Sequence, residues 1–220
     1  VTLGPDRLTA VGTDSFRLSV AAHPFAAAAP GRDRTAVVPP GAVAAVLAAL
    51  TDPHELVRVT LGNLFAVETE RLRLQTATVT HSKFLPYENI LAAHVKKAGV
   101  RAEVDPAAFL AAVRQAATMT TADDARVEFA FSAGADGAGT LVLSTASAFG
   151  GLEVECPLAS YAGGDTRFAA DPVFLRDFLA VRGAESAAPL LVRIVGPQQP
   201  FVFDAAADWQ YLMAAMTDPE

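Results

Sequence analysis

Two groups of carboxylates lie close together along the sequence, Asp123-Asp124 with Glu128 and Asp204 with Asp208. Paired carboxylates suit general acid–base catalysis or Mg²⁺ coordination, the chemistry of a hydrolase or nuclease. Both groups fall in apparent turns between strands, where Asp is favoured for its local hydrogen bonds, and they are read as solvated turns. The single cysteine, Cys156, alternates with Leu152 and Val154 as a packed core thiol does. His23, His54, His81 and His94 sit beside loops with no G-x-S-x-G nucleophile to serve. One Cys among four scattered His gives neither a zinc spacing nor an internal disulfide. Gly134, Gly137 and Gly139 do not run from a strand into a helix, so they form no phosphate loop. The expectation is a protein with no catalytic residue, no metal and no cofactor.

The chain has 220 residues, 52% of them apolar and 19% charged, which suits one large or two ordinary globular domains. No stretch approaches the roughly 18 apolar residues of a membrane span. The opening segment, Val1-Thr2-Leu3-Gly4-Pro5-Asp6-Arg7, lacks the basic and apolar regions of a signal peptide. A soluble, cytoplasmic chain with no membrane partner is expected. A formal charge of −7 argues against a tightly gripping basic groove, yet is compatible with a protein that surrounds a polyanion.

The elements that position these residues come from an internal repeat. Val37–Leu47, Glu103–Val113 and Ala169–Leu179 each read as an extended lead, a Pro and a helix, and Pro40, Pro106 and Pro172 are spaced 66 residues apart. Asp105 and Asp171 are placed to cap their helices, with the next Pro at the first helical position, where its missing N–H costs nothing. Apolar residues then recur at helical spacing: Val43, Val46, Leu47 and Leu50; Phe109, Leu110, Val113 and Ala117; Phe174, Leu175, Phe178 and Leu179. After each helix the period becomes two, as in Val57-Val59-Leu61, Val127-Phe129-Phe131 and Leu190-Val192-Ile194. Each unit is a strand, a helix and about three further strands. Two units pairing their sheets edge to edge, with both helices on one face, make one α+β domain. Counting back 66 residues from Pro40 implies a first domain that is incomplete, its missing portion lying upstream or supplied by another chain.

Four segments resemble the bacterial DNA polymerase III β subunit, the sliding clamp. Gly12-Thr13-Asp14-Ser15-Phe16-Arg17-Leu18-Ser19 looks like that family's A-T-D-x-x-R-L-A. Ser82–Leu91 is similar to its G-x-F-P-D-Y-x-x-V-L/I-P, Gly196-Pro197-Gln198-Gln199-Pro200-Phe201 to its D-P-x-S-P-V, and Tyr211–Met216 to its C-terminal Y-L-L-M-P-V-R-L. The resemblance implies a DNA clamp fold with residues 1–98 as the second clamp domain, N-terminally incomplete, and 99–220 as the third. It further implies a groove for short linear peptides of polymerases, clamp loaders and repair proteins, lined by Thr13, Ser15, Phe16, Arg17, Leu18, Leu85, Asn89, Ile90, Gln198, Pro200, Leu212 and Ala214. Alternation alone gives Phe16 and Leu18 the same inward direction, that of a strand's core face.

The departures from the family pattern fall in that groove. Leu85 stands where Pro is usual, Asn89 where Arg is common, Gln198 where an apolar residue is usual, and Ala214-Ala215 in place of Met-Pro. Losing a flexible Met widens the groove and removes about 1–3 kcal/mol of buried apolar contact. Thr118 and Met119 stand where the family has the large aliphatics of its head-to-tail ring contact, a homo-oligomer that needs the first domain to close. Double-stranded DNA would be met without sequence preference by Arg114, Arg176 and Arg182 on the helices and by Lys96 and Lys97, with Arg101, at a basic domain junction. The function implied is that of a processivity clamp, tethering partners rather than doing chemistry. The alternatives are a clamp-derived peptide-binding module that no longer forms a ring, and a hydrolase or nuclease using the carboxylates above.

Overall fold

The computed structural model describes residues 1–25, 33–52, 54–79, 84–121, 125–134, 137–147, 150–185 and 188–217. These divide into two compact units, one of residues 1–11 and 20–86 and the other of residues 12–19 and 87–220. The tip of one hairpin, Gly12–Ser19, therefore groups with the second unit. The domain junction drawn from the sequence at 98/99 lies eleven residues after the start of this second long segment.

In the first unit, β1 (Thr2–Leu3), β2 (Arg7–Thr13), β3 (Arg17–Pro24) and β4 (Arg34–Thr35) pair in the order β3-β2-β1-β4. Helix α1 (Pro40–Ala49) follows, then a three-stranded antiparallel sheet of β5 (Arg58–Leu61), β6 (Leu64–Glu68) and β7 (Arg73–Ala77). Its small core is Leu61, Phe65 and Val67, against which Val46 and Leu50 pack at the C-terminal end of α1.

The second unit holds α2 (Tyr87–Lys97), then β8 (Val100–Val104), α3 (Pro106–Ala117), β9 (Val127–Ala133), β10 (Gly139–Ser147) and β11 (Gly150–Ala162). A second run of the same plan follows: β12 (Thr166–Ala170), α4 (Pro172–Glu185), β13 (Leu190–Ile194), β14 (Phe201–Ala206) and β15 (Trp209–Met213). Pro40, Pro106 and Pro172 are the first residues of α1, α3 and α4, so the 66-residue spacing is the period of a strand–helix–three-strand module. Asp105 caps α3 by accepting from the Ala108 N–H at 2.7 Å, and Asp171 accepts from the Val173 N–H at 2.8 Å. The expected α+β architecture is thus the observed one.

The two modules of the second unit are joined reciprocally. The strand leading into each helix pairs with the first strand after the helix of the other module, β8 with β13 and β12 with β9, all antiparallel. Helices α3 and α4 pack on each other over a shared core of Phe109, Val113, Phe129, Leu141, Leu175, Leu179, Val192 and Phe203. This is the edge-to-edge pairing that the period-two and period-3.6 patterns dictate.

Helix α2 lies where the sequence suggested a basic junction. Lys96 and Lys97 are in its last turn, where cations oppose the helix dipole, and Arg101 is on β8. Among the described residues, no helix is long and apolar enough to cross a membrane, which says nothing of β-barrels.

Candidate functional site

The hairpin tip owes its shape to Asp14. Its Oδ1 accepts from the backbone N–H of Phe16 at 3.1 Å and of Arg17 at 3.0 Å, and its Oδ2 accepts from Arg17 Nε at 2.8 Å. Thr13 Oγ1 donates to the Arg17 carbonyl at 2.7 Å, and Ser15 takes a left-handed φ of 78° to complete the turn. That turn separates Phe16 from Leu18. Leu18 is buried at 3% exposure, whereas Phe16 is 61% exposed, so the common inward direction expected of the two does not hold. Phe16 precedes the first strand residue, Arg17, and escapes the alternation.

The tip is held by residues at both ends of β15 and by the start of α4. The Ala214 N–H donates to the Phe16 carbonyl at 2.8 Å, and Trp209 Nε1 donates to Ser19 Oγ at 3.0 Å. The Phe16 ring stacks on Phe174 at a centroid distance of 6.1 Å. The guanidinium carbon of Arg17 lies 4.5 Å from the Phe174 centroid, and its Nη1 is 3.3 Å from Asp177 Oδ2. Burial opposes the charge on Arg17, but Asp14, Tyr211 and Asp177 outweigh it and its pKa is raised. Tyr211 donates its hydroxyl to the Phe174 carbonyl at 3.2 Å, and burial, opposed by Arg17, pushes its pKa up to about 12. Arg17 is a planar cation fixed on an aromatic ring between two carboxylates.

Of the sequence-proposed groove residues, this cluster holds Thr13, Ser15, Phe16, Arg17, Leu18 and Ala214. Leu212 is buried on β15, paired with Val202, and Pro200 leads into β14. Asn89 is exposed and Ile90 half-buried on α2, which packs on β14 and buries Leu91. Gln198 lines a different hollow, of about 510 Å³, with Arg126, Glu128, Arg167, Phe168 and Met216. Leu85 is half-buried in the first unit. Sequence reasoning missed Phe174 as part of this site, together with Asp177 and Trp209. A signal existed: two residues after the helix-starting Pro, the other modules carry Ala42 and Ala108, and only this one carries a bulky ring.

The remaining residues sort by exposure. Arg114 and Arg176 are exposed on α3 and α4, Arg176 beside Asp177 at 3.7 Å, and Lys96 and Lys97 are exposed. Arg182 is not a surface cation: it is 1% exposed, and its Nη2 donates to the Ala188 carbonyl at 2.9 Å, so it cannot reach a phosphate. Thr118 caps the C-terminal end of α3 through Oγ1 donating to the Gln115 carbonyl at 2.7 Å, and Met119 is half-buried. Asp204 lies within β14 rather than in a turn, and accepts from Arg193 Nε at 2.6 Å and Gln210 Nε2 at 2.8 Å. Asp123, Asp124, His81, Ser82 and Lys83 lie outside the described residues. Among the described residues, no group of three or more His, Cys, Asp or Glu is arranged to hold a metal ion. Cys156 is buried at 1% exposure.

A scaffold of strand–helix–three-strand modules, paired edge to edge with their helices packed together, is of the clamp type. Solved structures similar to it include DNA polymerase sliding clamps. That of Bacillus subtilis matches with a TM-score of 0.87 at 16% identity over 99% of this chain and 56% of the other. The DNA polymerase III subunit beta of Pseudomonas aeruginosa matches at 0.85 and 19% identity, over 98% and 57%. The DNA polymerase III beta chain of Streptococcus pneumoniae TIGR4 matches at 0.81 and 17%, over 97% and 55%. The chain has the sliding-clamp fold and spans a little over half the length of these structures. Its sequence matches no protein-family model and no curated protein.

Proposed function

We propose that this chain is part of a DNA polymerase III sliding clamp or a divergent relative, residues 1–98 serving as the second clamp domain and 99–220 as the third. It acts in the cytoplasm as a non-enzymatic tether: a short peptide of a polymerase, clamp loader or repair protein docks beside the hairpin tip, raising that partner's effective concentration on the template. The observation that carries this is the anchoring of the tip, with exposed Phe16 on Phe174 and Arg17 held flat by Asp14 and Asp177. A fixed apolar shelf with a few polar edges suits an extended peptide bearing Leu and Phe anchors. Leu85, Asn89, Ile90, Gln198, Pro200 and Leu212 belong to the proposal on the resemblance alone, as do Thr118 and Met119 at a head-to-tail ring contact.

Titration with a fluorescent Q-x-x-L-F peptide tests it. Phe16→Asp is the variant of choice, because Phe16 is exposed whereas a charge at buried Leu18 would unfold the site. Binding by the native chain and at least about tenfold weaker binding by the variant are expected, the loss of one apolar anchor. No binding by the native chain, or equal binding by both, overturns the site.

DNA is met by Arg114, Arg176, Lys96 and Lys97 without sequence preference. Each phosphate contact adds only about one to the slope of log affinity against log salt, so binding is weak and salt-labile. The absence of any charge on α1 and the burial of Arg182 favour a second reading, a peptide-binding module that no longer encircles DNA. The size of the gene product in solution decides between a closed ring and a monomer.

A further inference from the structure

In the second unit the strands run in the order β12-β9-β10-β11-β8-β13-β14-β15, so β12 and β15 stand at its two ends. The residues that follow β15 tie those ends together. The Ala214 N–H donates to the Phe16 carbonyl of the hairpin tip, and the Met216 N–H donates to the Ala169 carbonyl of β12 at 2.7 Å, in an antiparallel bridge. Two residues of extended chain span about 7 Å, so the apolar shelf of the tip and the outer edge of β12 are separated by little more than a dipeptide.

At the far end of that bridge lies the hollow of about 510 Å³, with Met216, Ala169 and Gln198 in its lining and Arg126, Glu128 and Arg167 as its charged residues. Strand alternation turns Arg167 and Glu128 outward, because their neighbours Phe168, Val127 and Phe129 belong to the core. The register sets the two on a diagonal, Arg167 opposite Ala130 and Glu128 opposite Ala169. Their contact is loose, 3.7 Å from Nη1 to Oε1, with the side chains 76% and 39% exposed. An exposed pair of this kind contributes little, so Arg167 is free to exchange Glu128 for a better-placed carboxylate. Arg126 is more firmly set, its Nη1 donating at 3.0 Å to the carbonyl of Thr217, the residue after Met216. Among the described residues, the hollow carries two guanidiniums against one carboxylate, on a chain whose formal charge is −7.

We propose, on the footing of the peptide site above, that this hollow reads the charge of the residues flanking a docked peptide's anchors and selects an acidic flank, with Arg167 as the specificity-determining residue. A peptide seated on Phe16 and Phe174 that continues along Ala214–Met216 gains about 3.3 Å per residue, so the second and third residues beyond its anchors arrive at Arg167. A carboxylate there displaces Glu128 and meets the planar guanidinium through charge-assisted hydrogen bonds, the geometry for which Arg is suited. The field of the whole chain acts the other way, since a net charge of −7 repels acidic peptides and attracts basic ones. A preference for acid therefore has a local origin.

Competing flanks on one fluorescent motif test this. The Q-x-x-L-F peptide is titrated alone and with Asp-Asp or Lys-Lys at the second and third positions beyond either end. At low salt the native chain is expected to bind the Asp-Asp peptide, at one of the two ends, about fivefold more tightly than its Lys-Lys counterpart, the ratio falling as salt screens it. Arg167→Gln should bring that ratio to one or below, and Glu128→Gln, which removes the competing carboxylate, should enlarge it. Both side chains reach solvent, so neither replacement disturbs the core. Equal or tighter binding of the Lys-Lys peptide at both ends, with the motif alone still bound, overturns the proposal and leaves the peptide site standing. A preference that survives Arg167→Gln overturns the role of Arg167. Failure of the motif alone to bind overturns the peptide site, and the proposal with it.

Discussion

The guanidinium carbon of Arg17 lies 4.5 Å from the centre of the Phe174 ring, so a side chain of the hairpin tip is fixed by the first turn of a helix far along the sequence. An exposed cation over an aromatic face contributes about 0.5–1 kcal/mol, more when desolvated. A double-mutant cycle with Arg17→Met and Phe174→Leu, read from urea unfolding by the fluorescence of Trp209, isolates that contribution. Trp209 is the only tryptophan and binds Ser19 beside the tip, so it reports locally. A coupling of about 0.5–1 kcal/mol is expected; a value indistinguishable from zero would show that the two side chains merely adjoin.

Asp14 makes the tip sensitive to acid. Burial alone would raise its pKa, but the side-chain bond from Arg17 and the backbone N–H groups of Arg17 and Phe16 reverse this and hold it below the ordinary 3.8. A carboxyl depressed in the folded state contributes stability that is present above the unfolded pKa and is lost as pH falls through the folded one. Trp209 fluorescence should therefore report loosening of the tip below about pH 3.8, on the acid side of an ordinary aspartate. Asp14→Asn should flatten that part of the profile. An acid transition of the same shape in the variant would assign it to other carboxylates.

What the sequence revealed, and what it hid, follow from how many residues carry each signal. The 66-residue spacing and alternation were legible because they are repeated over three modules and written in core residues such as Phe129 and Val192. Helix α2 was not, because its apolar stripe is thin and only Leu91 is buried, leaving the lysines of its last turn to resemble a solvated junction. Arg182 misled as a surface charge, although the repeat aligns it with Ala116 and Leu50, which face inward in the other modules. The divergence of Phe16 from Leu18 depends on one positive φ at a non-glycine residue, which no periodicity encodes.

That residue, Ser15, holds φ at 78°, a region costing a side-chain-bearing residue about 1–2 kcal/mol and glycine nothing in strain. Glycine returns part of this gain through its freer unfolded chain. Ser15→Gly should raise stability by about 0.5 kcal/mol and Ser15→Val lower it by roughly 1 kcal/mol or more. The order Gly, Ser, Val in melting temperature is the observable, and any other order would show that the turn relaxes to a different φ.

Cys156 reports the integrity of the second core. It is 1% exposed between Val154 and Leu158 on β11, and burial, aided by Asp105, pushes its thiol up to about 11. Attack on a disulfide reagent requires both access and thiolate, and native Cys156 offers neither at about pH 8. Reaction with a disulfide reagent at that pH should be slower than in urea by orders of magnitude. Rapid native labelling would mean that β11 opens readily from the sheet.

Gly139 marks the tightest backbone approach in the same core. It begins β10 opposite Leu158, and a Cβ there would lie 2.6 Å from the Tyr161 Cβ and 2.9 Å from the Ser132 carbonyl oxygen. Neither is the movable end of a flexible side chain, so a methyl group forces the β9–β10 and β10–β11 pairings apart. Gly139→Ala should cost about 1–3 kcal/mol as overpacking. Gly151→Ala, whose nearest neighbour would be the Thr145 carbonyl at 3.5 Å, supplies the control for the loss of glycine itself. If the two variants melt together, the crowding at Tyr161 is relieved by strand movement and β10 is held less rigidly than its burial implies.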